Sequence, residues 1–175
     1  MSLSGADYFA TPLGLVAVDR AAREQLKGFP QVVEVESAHR HEHSIETHLP
    51  FLQETIGAFE IVPLVVGESS PREISQILQA FWNEPDTIFS ISSDLSHFLP
   101  YADAQRIDAL TSKAIEQNHP HDISPDRACG RLGILGLLHV AERHGLHATT
   151  LDLRNSGDTA GARDSVVGYG AYAFA

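Results

Sequence analysis

Short apolar runs alternate with segments of helical period from one end of this chain to the other, and that alternation narrows its folds more than any other feature. Residues 7–11 and 15–18 read as extended, with Pro12-Leu13-Gly14 as the turn between them. Asp19 is placed to cap a short helix that reaches Leu26 and closes at Gly28. A short strand over 32–35 leads into the His-rich stretch 39–43 and a helix over 44–56, which Pro50 should kink or restart. Residues 61–66 read as one buried strand, at a sheet edge or a strand start because of Pro63. Ser70-Pro71 opens a helix with Ile74, Ile77, Leu78 and Phe81 at helical spacing, and 87–92 is the next strand, with residues 93–97 hanging from its end. Helices over 102–117 and 128–144 follow, then strands over 148–153 and 166–174. Such alternation implies an α/β fold, a sheet with helices packed on both faces, and ligands in such folds sit at the carboxyl ends of strands.

Length and composition trim the alternatives. The 175 residues suit one domain over 1–175, with 1–6 expected to be a tag or a disordered start. A net charge of −11 repels phosphate backbones and argues against general nucleic-acid binding. No apolar run approaches the ~20 residues that span a bilayer, and the first residues carry neither a basic nor an apolar segment of a signal peptide. A single cysteine, Cys129, excludes an internal disulfide framework and fits a reducing cytoplasm. The unusual count is ten histidines against twelve lysines and arginines, and the histidines cluster. Neutral imidazole ligates metals, so their placement is the first functional lead.

The densest segment runs from His39 to His48. It misses the zinc-protease pattern His-Glu-x-x-His, because Ile45 stands where the partner of His41 would be. On a helix His43 and His48 point about 140° apart, whereas His43 and Glu46 share a face. The segment is either a solvated, helix-capping loop or part of a metal site. Asp94-x-x-His97 after an apolar strand suits a general base with its orienting carboxylate, or a ligand with its supporting partner; a turn cap beside an exposed histidine is the plain alternative. Cys129-Gly130 opens a helix, where a thiolate is favoured as nucleophile or ligand, although a lone cysteine also serves as a small buried hydrophobe. Cys129 with His97 or His43 and Asp94 also permits a cysteine hydrolase. His119, His121, His139, His144 and His147 lack partners at ligand spacing and read as surface or helix-end residues.

Taken in order, several blocks resemble the Memo family, whose prokaryotic members are called AmmeMemoRadiSam system protein B. They are Ala10-Thr11-Pro12-Leu13-Gly14 with Val18-Asp19, Glu42-His43-Ser44-Ile45-Glu46 through Leu49-Pro50-Phe51-Leu52-Gln53, and Val62-Pro63-Leu64-Val65-Val66-Gly67. Ser92-Ser93-Asp94-Leu95-Ser96-His97, Ala128-Cys129-Gly130, Asn155-Ser156-Gly157-Asp158 and Val166-Val167-Gly168-Tyr169 complete the series. The resemblance implies a fold related to class III extradiol dioxygenases. It also implies a metal held by His43 and Cys129, with Asp94 and His97 lining the same pocket in catalytic roles. The associated metal is non-haem iron or copper, with zinc as a form in which such proteins are isolated. The family's opening Pro-His-Ala-Gly and Pro-Ser-His-His motifs have no counterpart, which implies a truncated or a short, divergent member lacking one ligand. Leu132-Gly133 also stands where relatives carry a proline. The expected function is a cytoplasmic, metal-dependent, dioxygenase-like redox protein acting on a small molecule. The alternative is a non-catalytic metal-binding or protein-interaction module, pairing with a protein partner or with itself.

Overall fold

The expected alternation is realised as mixed α/β structure, with six helices and nine strands among the residues described, 1–159 and 161–175. The chain divides into two compact units, Met1–Ser69 and Ser70–Ala175. The strands form three three-stranded sheets, two in the first unit and one in the second, in place of the single sheet expected.

The first unit is built from short strands. Strand β1 (Ser2–Leu3) lies between β4 (Val33–Glu34), parallel to it, and β6 (Leu64–Val65), antiparallel to it. Leu3 and Ser4 are buried, so the stretch expected to be a tag or a loose start is an ordered interior strand. Strands β2 (Tyr8–Thr11) and β3 (Gly14–Val18) form a hairpin, and Gly14, at φ +128°, supplies a turn conformation that L side chains rarely adopt. Helix α1 (Arg20–Leu26) starts where expected, with the Asp19 carboxylate accepting Ala22 N–H at 3.0 Å. A one-turn helix, α2 (Glu36–His39), was not foreseen. Helix α3 (Ser44–Ile56) runs through Pro50 as one element rather than restarting there.

The strand expected over 61–66 is two strands in two sheets. Strand β5 (Glu60–Ile61) pairs with β3, whereas β6 joins β1, and Val62-Pro63 is the corner between them. Pro63 has no N–H to give to a ladder, so pairing stops on one side of it and resumes with a different neighbour on the other.

The second unit carries a continuous core. Helix α4 (Pro71–Ala80) opens with a capping box between Ser70 and Glu73. It packs on α6 (Arg131–His144) at Gly136, where a Cβ would meet Ile74 Cγ2 at 2.4 Å. Strand β7 (His97–Leu99) pairs antiparallel with β9 (Val166–Phe174), which pairs in turn with β8 (Ala148–Asn155). Helix α5 (Tyr101–Glu116) packs on β8 and β9. Leu95, Ile115, Ile123, Leu135 and Leu138 form the buried centre, with Tyr172 and Phe174 of the sheet packed against it.

The strand expected over 87–92 is absent: these residues are irregular. Two of their apolar side chains are placed by packing instead, Ile91 against the core and Phe89 stacked on Trp82 at 5.6 Å, while Ile88 is exposed. An apolar run needs burial, and a ladder is only one way to obtain it.

Candidate metal centre

The residues joined by Ser93-Asp94 and Cys129-Gly130 meet because two backbones dock. Cys129 N–H donates to Asp94 O at 3.3 Å, Gly130 N–H to Ser93 Oγ at 2.9 Å, and Ser93 Oγ–H to Asp94 O at 2.7 Å. The contact requires glycine at 130: a Cβ there would lie 2.3 Å from Ser92 O and 2.8 Å from Ser93 Cβ. Gly130 is also the N-cap of α6, so Cys129 stands one residue before the cap rather than inside the first turn. The docking brings Asp94 N–H to 3.1 Å from Cys129 Sγ, with Ser93 Oγ at 3.8 Å.

His97 is placed by the same strip of chain. Leu95 N–H donates to Gly168 O and Gly168 N–H to Ser96 O, both at 2.8 Å. His97 then opens β7 opposite Val167, and Phe98 follows with φ +58° at a break in the register. A β-bulge of this kind re-aims the side chains beside it. The His97 ring ends with Nε2 3.5 Å from Asp94 Oδ2. One ligand atom from each of Asp94, His97 and Cys129 lies within 4.8 Å of the others. That is close to the largest separation, about 4.5 Å, of two ligands bound at 2.0–2.3 Å to one ion. The thiol is exposed and the other two side chains are half-buried.

A thiolate, an imidazole and a carboxylate are a donor set suited to zinc, copper or iron rather than to magnesium or calcium. The donors on the chain therefore fit the class of metal expected, and nothing in their contacts opposes it.

His43 belongs to the first unit and is described there. It is the N-cap residue of α3 and exposed, and its Nδ1 lies 2.6 Å from Glu46 Oε1, the face-sharing pair expected from the spacing. Beside it, the Glu42 carboxylate accepts N–H groups from Ser44 and His43, both at 2.9 Å. The Ser44 bond above all holds its carboxyl below the usual range. The five histidines expected at the surface, His119, His121, His139, His144 and His147, are exposed, but His119 does have a partner three residues on, Asp122 at 3.6 Å, and His144 lies 2.9 Å from Gln79.

Two residues behind the cluster were missed. Ser93 ties Gly130 to the Asp94 turn, and Asp108 on α5 accepts both Ser96 N–H (2.9 Å) and Ser96 Oγ–H (3.1 Å). Asp108 is buried, and burial raises its carboxyl above the ordinary value against the opposing pull of the Ser96 bonds. A signal for it exists: Ala104, Asp108, Thr111 and Ile115 fall on one helical face, and a carboxylate among apolar positions is out of pattern.

The family model described as Memo-like protein matches residues 1–173. Similar curated relatives are MEMO1 family proteins of Aquifex aeolicus (30% identical), Aeropyrum pernix (34%) and Saccharolobus islandicus (33%). These alignments take in 97%, 96% and 91% of this chain but only 67%, 64% and 61% of the relatives, so the chain spans about two thirds of their length or less.

Proposed function

This chain belongs to the Memo-like protein family, and on that premise we propose that it binds a redox metal through Cys129 and His97 of its second unit. The convergence of Asp94, His97 and Cys129 within 4.8 Å carries the reading. Nothing in the local sequence requires residues 35 positions apart to meet, and the contacts that join them leave the thiol exposed. Non-haem iron or copper is the metal proposed, with zinc as a substitute on isolation, since thiolate and imidazole suit all three. When bound, iron or copper would supply one-electron chemistry, and any of the three Lewis acidity, toward a small molecule.

The chain's own groups have separable tasks. Cys129 offers sulfur, with the Asp94 N–H aimed at it. Asp94 orients the His97 ring from one side, the carboxylate–histidine pairing that fixes a ring nitrogen for ligation or for proton transfer. Within the first unit, Glu46 engages His43 at Nδ1. Among the described residues no helix is long and apolar enough to cross a membrane, and a single exposed thiol is best kept reduced in a cytoplasm, the location proposed.

Metal analysis of purified wild type and of Cys129→Ser and His97→Ala tests the assignment. Metal should fall sharply in both variants. Wild-type metal content in both Cys129→Ser and His97→Ala sinks it.

A further inference from the structure

We propose that Asp108 is a positioning residue for the Asp94–His97–Cys129 cluster, fixing the His97 ring by clamping Ser96 from behind. The inference rests on reading that cluster as a metal site, and the clamp itself is visible without it.

The strip from Asp94 to Leu99 is held at nearly every residue. Leu95 is buried and bonded to Gly168, and Ser96 gives its carbonyl to Gly168 N–H. Both of its donors, the backbone N–H and the hydroxyl, go to the Asp108 carboxylate. Ser96 and Asp108 are among the most buried polar residues of the chain, at 1% and 2% exposure, so water offers these groups no substitute. His97, by contrast, has for its ring, among the described residues, the Asp94 carboxylate at 3.5 Å, which is long for a hydrogen bond, and a tilted contact with the ring of its neighbour Phe98 at 5.7 Å. Its position is therefore inherited from the backbone on either side of it. On one side that is the clamped Ser96, and on the other the bulge at Phe98.

Gly168 shows how closely the clamp is built. A Cβ at that position would stand 2.0 Å from Asp108 Oδ2 and 2.6 Å from its Cγ. The carboxylate thus passes under the β9 backbone at the residue that also bonds Leu95 and Ser96. Helix α5, strand β9 and the strip carrying Asp94 and His97 meet at this carboxylate. Removing it leaves two buried donors unpaired directly next to His97, and the cheapest relief is to move the Ser96–His97 peptide toward solvent.

The test uses the full chain with two probes: cobalt(II) added alone, and the NMR signals of the His97 ring nitrogens in metal-free protein. Asp108→Ala should shift the ring signals and weaken cobalt binding about tenfold or more, with far-ultraviolet circular dichroism unchanged. Asp108→Asn keeps an oxygen for the Ser96 N–H and should return the ring signals and most of the affinity. A purely structural Asp108 would lower the unfolding midpoint and move neither probe; wild-type ring signals and cobalt affinity in folded Asp108→Ala overturn the proposal. Should Asp108→Ala not fold, Ser96→Ala decides, because it loses only the hydroxyl bond: a smaller displacement of the same ring signals supports the clamp, and unmoved signals overturn it. If wild type binds no cobalt, the metal reading falls, while the ring signals still decide the role of Asp108.

Discussion

His43–Glu46 and Asp94–His97 are the same local device, a histidine three residues from a carboxylate, yet their surroundings differ in kind. In the first unit the pair is held by one turn of helix, with 77% and 62% of the two side chains exposed. In the second it is half-buried, and its backbone is bonded to Cys129, Gly168 and Asp108. A local pair costs little to form and resists little. An embedded pair is pinned by elements distant in sequence, and its geometry is inherited from them. The comparison teaches that spacing alone marks both pairs, while only contacts from outside the segment separate a surface pair from a supported site.

The largest effects should come from glycines at which embedded backbones touch. Gly168→Ala drives a methyl into Asp108 and should cost about 3 kcal/mol in urea unfolding. Gly130→Ala, facing Ser92 O, should behave alike and also displace Cys129. Gly57→Ala in the first unit meets no atom within 4 Å, and its backbone at φ +85°, ψ −128° should cost about 2 kcal/mol through strain alone. Equal losses at 168 and 57 would break the contrast.

Caps provide a control of middle size. Asp19→Ala and Ser70→Ala each remove a side-chain cap, one from each unit, and each should cost about 1 kcal/mol by the same assay. A much larger loss in one would mean that one unit is simply fragile, not that its site is better supported.

Acid should act on the two regions with opposite sign. The Glu42 carboxyl next to His43 is lowered in the folded state, chiefly by the Ser44 N–H, so its contribution is present above its unfolded value and lost as pH falls through the folded one. Asp108 is raised by burial, so its contribution is full below the unfolded value and lost as pH rises through the folded one. Urea midpoints followed between pH 3 and 7, about the range of carboxyl titration, should show Glu42→Gln removing an acid-side loss and Asp108→Asn removing a decline toward neutrality. Slopes of the same sign would show that the two carboxylates are not differently housed.

The smallest effect belongs to Glu46→Gln, which should change stability by less than about 0.5 kcal/mol, because both partners face solvent. A larger loss would mean that the pair is supported by more than its own helix turn.

Much of this was legible in the residues. Asp19, Ser70 and Gly145 announce helix ends by local chemistry, and the helices over 20–26, 71–80 and 131–144 follow. The errors fall where a segment's state depends on a neighbour. The apolar run over 87–92 satisfies itself by packing Phe89 and Ile91 rather than by pairing, and the run over 61–66 is divided by Pro63 between two sheets. Strand β1 was invisible because two residues carry no period.

The order of motifs along the chain determined by itself the family and the α/β character, because those rest on side-chain chemistry and short-range spacing. Only the tertiary structure decided that Asp94, His97 and Cys129 converge while a buried aspartate stands behind them. Convergence depends on which backbones dock. That is settled by the contacts of Leu95, Asp108, Gly130 and Gly168, residues up to 73 positions apart in sequence.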